Sequence, residues 1–375
     1  MDLAPITSFA PMRLRARTLA VLRDLHARVV CRPAPGQGPL VVFMPAGPAS
    51  DGAVRLRVHE IACALGPHGW RTAVLPAGLA VEARRRVIAR LAPDVLIMQG
   101  VRHPANRPHL YPGPPILLDI DDADFHLAHL AAPMVAALDG VAGVIAGSRY
   151  IADWAEARGV PARVVWTGTQ VRSAAPPLHR GPVVAWAQTR PMTYLREADM
   201  VRAAMARVAR HHPGTTLRLY DRQDGDDAGF AESFGVPGLT VEWRRTTGYA
   251  RYLESFDDVA VGLAPLDPGN PFSRGKSFGK VLAYLDREVA VVASEAGEHR
   301  AVFDGTNGRL VRDPSEMAEA TLGYLRDPDL RQSAGRKGRE TLQRRLSIDA
   351  AAARLAQSLD ALVPQEGRTA RSSVP

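Results

Sequence analysis

Cysteine is nearly missing from this chain. Cys31 and Cys63 are the two present in 375 residues. They build no disulfide framework and offer no metal-ligand spacing, and a reducing, cytoplasmic setting fits them. Long hydrophobic runs are missing too. The longest, near residues 91–98 and 141–147, are strand-sized, and none could span a bilayer. The first residues lack an uninterrupted apolar stretch with a small-residue cleavage site. Dense Lys/Arg blocks are absent, as is any aromatic-plus-basic sheet motif. The formal charge of +8 therefore reads as arginine spread over the surface, and nucleic acid is not an expected partner.

What is present is ordinary globular composition, 46% hydrophobic and 23% charged, in a chain long enough for two domains. Residues 39–45 (PLVVFMP) form the kind of continuous apolar run that a buried parallel strand needs. Strand-like and helix-like segments then alternate: strands at 71–75, 94–98, 116–120, 141–146 and 164–166, helices at 54–65, 81–91 and 150–158. Pro and Gly mark a linker at 171–181. The rhythm restarts with strands at 183–187, 216–220, 239–243, 259–264 and 289–293. Helices are expected at 195–211, 280–285, 316–325, 331–345 and 348–362. This pattern predicts two doubly wound α/β halves with a ligand cleft between them. The expected divisions are an N-terminal extension (1–38), a first domain (39–175), a second domain (176–345) and a C-terminal helix with a disordered polar tail (346–375). Residues 12–30 read as a basic amphipathic helix that packs on the next domain, with a peripheral membrane contact at the inner surface as the alternative.

Three familiar motifs fail on context. Residues 47–52 have the glycines of a phosphate loop, but Ala53-Val54 stand where Lys-Ser/Thr is required. No G-x-G-x-x-G follows the first strand, and no acid ends the second, which argues against a dinucleotide-dependent dehydrogenase. Residues 275–279 match G-x-S-x-G, yet an irregular loop precedes them where a nucleophile elbow needs a strand.

Two constellations remain. In FSRGKSFGK (272–280), Arg274, Lys276 and Lys280 lie in a loop that opens a helix. Helix N-termini and cations together suit a diphosphate. In DIDD (119–122), carboxylates end a strand and His126 follows, on the side where a cleft would lie in this fold class. They could orient hydroxyls, act as a base or hold a metal, and capping by Asp122 is the dull alternative. Arg55 and Arg57 stand two apart and do not share one helical face. Thr189-Arg190 follow the first strand of the second half, a phosphate-facing position. The Trp residues read as core or rim.

Five stretches carry a resemblance: RLRVHEIACALGPHGWRTAVL (55–75), ILLDIDDADFH (116–126), VAGVIAGSRYIADWAEARGVPARVVWTGT (141–169), FDDVAVGLAPLDPGNPFSRGKSFGKVLAYLDREVAVVAS (256–294) and FDGTNGRLVRDPSEMAEA (303–320). Together they resemble GT-B glycosyltransferases of family 4, with two Rossmann-like domains facing a central cleft. The resemblance implies a retaining transferase that uses a nucleotide-sugar as co-substrate, with no metal and no other cofactor. The acceptor would be a saccharide, a lipid-linked saccharide or a small natural product. Lys276, Ser277 and Lys280 match the K-S-x-x-K pattern of a sub-group, and with Arg190 and Arg274 fall on the donor side. Asp119, Asp121 and Asp122 match its D-x-D-D strand end. Gly52, Arg55, Arg57 and Asp119 fall on the acceptor side, and Ser148 matches the serine after the fourth main strand. Asp121, Asp122 and His126 would be the catalytic group, with Asp122 or His126 taking the acceptor's proton. The chain departs from the family at two positions, where Gly275 and Ala283 stand in place of glutamates. Asp286, one turn beyond Ala283, is expected to reach the same space. A non-catalytic binding or partner protein of the same fold is the rival that these losses raise.

Overall fold

In a computed structural model of the chain, the described residues are 31–172, 180–188, 191–221, 228–245 and 248–362. The expected amphipathic helix at 12–30, Arg190, most of the linker and the polar tail lie outside them. The first domain is a six-stranded sheet, with β1 (Leu40–Met44), β2 (Arg71–Val74), β3 (Val95–Gln99), β4 (Ile116–Ile120), β5 (Gly143–Ala146) and β6 (Ala162–Val164) in the order β2-β1-β3-β4-β5-β6. Every pairing in it is parallel. Its helices are α1 (residues 52–64), α2 (Val81–Leu91), α3 (Ala128–Leu138) and α4 (Arg149–Glu156). The second domain repeats the plan. Its strands β7 (Val183–Ala187), β8 (Thr215–Asp221), β9 (Leu239–Arg245), β10 (Val259–Ala264), β11 (Ala290–Ser294) and β12 (Arg309–Val311) run in the order β12-β11-β10-β7-β8-β9. Around them lie α5 (Leu195–His211), α6 (Val281–Asp286), α7 (Pro314–Arg326) and α8 (Pro328–Thr341).

The central strands β1, β3, β10 and β11 are buried along their length and largely apolar because both faces of each sheet are covered. In β1, Leu40, Val42 and Met44 enter one core, and Val41 and Phe43 enter the opposite one. In β7, Val184 and Trp186 divide in the same way from Ala185 and Ala187. This is the period-two alternation of a pleated strand.

Several local expectations shift. The strand read at 164–166 ends at Val164, so Trp166 stands beyond it. β12 is too short to read from three residues, and α3 carries Pro133 inside it, which hides it from a helical pattern. Within α1, residues Arg55–Glu60 form a wide π-helical turn. The C-terminal helix α9 (Ile348–Leu362) is not a separate appendage. It crosses back and inserts Ile348, Leu355, Leu359 and Leu362 into the first domain's core beside Val41 and Phe43. Its crossing strand-like contact pairs Thr169 with Ser347, so the two connections between domains lie side by side. No described helix is long and apolar enough to cross a membrane.

Leu359 is fully buried. Leu359→Ala is expected to destabilise the first domain by about 2–5 kcal/mol, read by urea unfolding. A cost below about 0.5 kcal/mol would mean that α9 is not part of that core.

Candidate functional site

The seam between the domains is built where the C-terminal ends of β4 and β10 face each other. β4 ends with Asp119 inside the strand, and Asp121, Asp122 and Asp124 follow in the turn. Each carboxylate is met by a donor from another element, because buried charge without a partner is costly.

Asp119 is 3% exposed and faces Arg57 of the wide turn in α1, itself 5% exposed. The Arg57 Nε donates to both Asp119 oxygens at 3.1 and 3.0 Å, and Nη2 donates to Oδ1 as well. Nη1 donates to the Val165 carbonyl at 2.9 Å and to Thr167 Oγ1 at 3.1 Å. Burial pushes the Asp119 carboxyl up and Arg57 pulls it back. Burial also disfavours the guanidinium, but Asp119 and Asp121 outweigh it and drive Arg57 above its ordinary value. The inward turn of Arg57 is set by the π-helical stretch, a feature common at functional sites.

Asp121 links the domains. Its Oδ1 accepts from Thr167 Oγ1 at 2.8 Å and from Ser277 Oγ of the second domain at 3.2 Å. Asp122 accepts from Lys276 Nζ at 2.8 Å and from Arg102 Nη2 at 2.8 Å. Burial would raise the Asp122 carboxyl, but Lys276 and Arg102 outweigh it and hold it well below the usual carboxylate range. Lys276 is raised in turn: burial opposes its charge, and Asp122 and Tyr194 prevail. Held between two cations, Asp122 binds a proton weakly. Ala123, rather than Asp122, stands at the N-cap of the short helical turn that follows. Arg102 continues to Asp124 at 2.7 and 2.6 Å.

The basic loop sits on the first domain. Phe272 packs against that domain's core, and Lys276 Nζ lies 4.5 Å from the centre of its ring. Glu197 of α5 holds the loop from behind, accepting from Ser273 Oγ at 2.9 Å and from the Asp267 amide at 3.1 Å. A Cβ at Gly275 would stand 2.5 Å from the Ala123 Cβ, so this approach needs glycine there. Ala283 is buried on α6 in the second domain's core. Lys280 is half-buried immediately before α6.

Arg274 is exposed and stacks over the Tyr150 ring at 4.8 Å. The Tyr150 hydroxyl is 2.8 Å from His126 Nε2. Desolvation, then Arg274, lower the His126 pKa, so its imidazole is neutral near pH 7. Trp154 stacks on Phe125 at 4.1 Å beside them.

Other expected residues lie elsewhere. Arg55 stacks over Tyr249 of the second domain at 3.1 Å and pairs with Glu60. Gly52 begins α1. Ser148 caps α4, accepting from the Ile151 amide at 3.3 Å. Asp286 does not join the basic loop. It is 1% exposed and accepts from the Arg172 amide at 2.9 Å, with Arg339 of α8 nearby at 3.7 Å. Its carboxylate is thus committed to the interdomain connection, because its position on α6 faces α8. A cavity of about 270 Å³ lined by Pro108, Tyr111 and Pro115 lies at the start of β4, away from the seam.

Sequence reasoning missed Arg102, Thr167, Tyr150 and Glu298. Arg102 follows β3 at the same sheet edge as the DIDD turn, so the strand-end rule could have found it. The other three have no local signal.

By sequence, no protein-family model and no curated protein matches the chain. By structure it is similar to sucrose-phosphate synthase from Thermosynechococcus elongatus, with a TM-score of 0.67 at 16% identity over 87% of this chain and 99% of that one. Anabaena HepE in complex with UDP-glucose is similar at a TM-score of 0.60 and 15% identity, over 86% of this chain and 100% of that one. TarM of S. aureus, solved with UDP among its ligands, is similar at 0.57 and 14% identity, over 76% of this chain and 59% of that one. The fold is GT-B: two Rossmann-like domains that face each other.

Arg57→Ala would strand Asp119 in the core and is expected to cost about 3–5 kcal/mol in chemical unfolding. A second prediction concerns His299, 3% exposed, whose Nδ1 lies 3.0 Å from the Ser294 carbonyl. Burial lowers its pKa to about 4 from 6.5. The unfolded chain binds this proton first, so stability falls as pH drops from about 6.5 to about 4 and levels below that. The loss is roughly 3 kcal/mol. His299→Gln should flatten that stretch of the stability–pH curve, and an unchanged slope would refute the assignment.

Proposed function

We propose that the chain is a glycosyltransferase that moves a sugar from a nucleotide-diphosphate donor to an acceptor seated on the first domain. The observation that carries this reading is the juxtaposition of the Lys276-Ser277 loop, at the entrance to α6, with the carboxylates after β4. Cations at a loop-to-helix junction suit a leaving diphosphate. Lys276, Lys280 and Arg274 would carry that charge, together with Arg190 as the sequence pattern of the second half expects. The complexes of HepE and TarM with UDP make a uridine diphosphate sugar the first donor to try. The acceptor would be a saccharide, a lipid-linked saccharide or a small natural product, and transfer would retain configuration without a metal, as the resemblance to family 4 implies. His126, neutral and bonded to Tyr150, suits the acceptor's proton better than Asp122 does. Work in the cytoplasm, with peripheral contact at the inner membrane surface, is consistent with this chemistry.

The second reading is a non-catalytic protein of the same fold. Gly275 and Ala283 favour it, since Gly275 packs on Ala123 with no space for a side chain and Ala283 is buried among apolar residues.

Calorimetric titration with UDP, GDP, dTDP and ADP separates the two. One nucleotide is expected to bind saturably, and Lys276→Ala to weaken it by about tenfold or more through loss of a charge-assisted contact. No binding to any of the four would leave the non-catalytic reading standing.

A further inference from the structure

Glu298 belongs to the second domain, in the turn after β11, yet every donor to its carboxylate comes from the first. Oε1 accepts from the Arg149 amide at 2.9 Å and from Arg149 Nε at 3.3 Å, and Oε2 accepts from Trp166 Nε1 at 2.8 Å. The Glu298 side chain is 4% exposed, whereas that of Arg149 is 57% exposed. A carboxylate buried this deeply, with both oxygens used, is held by its hydrogen bonds more than by a surface ion pair. The Arg149 amide opens α4, where free N–H groups and the helix dipole favour negative charge. The same turn supports the basic loop. Gly297, at φ +55°, lies directly beneath it, and a Cβ there would stand 3.5 Å from the Arg274 carbonyl and 3.6 Å from that of Lys276. Two adjacent residues thus join these parts: Glu298 touches α4 and the post-β6 segment, and Gly297 underlies the loop.

We infer that Glu298 is a positioning residue. It straps the second domain to the start of α4 and fixes the basic loop against the DIDD turn. It does so from the opposite direction to the Lys276–Asp122 bridge, in which the second domain supplies the cation. The two straps differ in kind. Lys276 and Asp122 are each about a fifth to a quarter exposed at the side chain and border the seam, where an anionic ligand can compete for the ammonium. The Glu298 carboxylate is buried, and its bonds to the Arg149 amide and Trp166 Nε1 do not depend on the exposed Arg149 guanidinium that such a ligand could reach. Glu298 therefore holds the domains together while the outer bridge exchanges. This concerns domain disposition and does not depend on which ligand the seam takes.

The test is amide hydrogen exchange and small-angle scattering on the full chain, with Glu298→Gln, Trp166→Phe and the neighbouring Glu295→Gln as control. In Glu298→Gln, exchange in residues 121–126, 149–152 and 271–277 is expected to quicken by about tenfold or more, as for a lost bond to a charged group. Protection of β10 and β11 should stay unchanged, and the radius of gyration should increase. Trp166→Phe keeps the carboxylate, removes one donor, and should give the same pattern at smaller size; it serves where Glu298→Gln fails to fold. A change confined to residues 295–303, a lower thermal midpoint with an unchanged radius of gyration, or an equal effect in Glu295→Gln would each overturn the inference. None of these readouts uses a nucleotide, so a failed titration leaves this result standing, and the reverse holds too.

Discussion

Four carboxylates at the end of one strand must be neutralised in a partly buried seam, and no cation within the turn itself does it. Arg57 comes from α1, Arg102 from the loop after β3, and Lys276 from the second domain. The packing of α1 against the sheet, the path of the loop after β3 and the docking of the second domain all meet at this one electrostatic demand. Removing a buried counter-ion costs more than the pair contributes, so these elements are held in a fixed relation.

The same demand explains how the charges divide their roles. Asp119 lies deepest and is bound by a fork, which suits a structural anchor. Asp121 accepts hydroxyls from both domains. Asp122 sits between two cations and stays ionised, so it can shape the local field but cannot readily take a proton. His126, its pKa lowered by burial and by Arg274, lies beside the Tyr150 hydroxyl. Gly275 belongs to this logic as well. Glycine there lets Ala123 and the basic loop touch.

Much of the fold was legible before the structure. Apolar runs at 183–187 and 259–264 coincide with β7 and β10, and the run at 116–120, broken only by Asp119, coincides with β4, because strands buried on both faces are largely apolar. The helices at 195–211 and 348–362 also appear where the pattern put them. β12 was not legible at three residues, and α3 was masked by Pro133. At the site, the DIDD turn and the basic loop stood out because clustered charge at element ends has few structural uses. Arg102 followed from a rule that was not applied to it. Glu298, Thr167 and Tyr150 could not be found, since their partners lie far away in the sequence.

By itself, the sequence determined that two parallel α/β halves would form, and which two charged segments would mark their facing edges. Hydrophobic period and strand-end position are local properties, and the chain displays them directly. Only the tertiary structure decided how those charges pair. It turned Arg57 inward through a π-helical turn, set Asp122 between two cations, and drew Asp286 to Arg172 and Arg339. It also folded the last helix back into the first domain. Pairing depends on which surfaces meet when helices and sheets pack, and that geometry is a property of the whole chain.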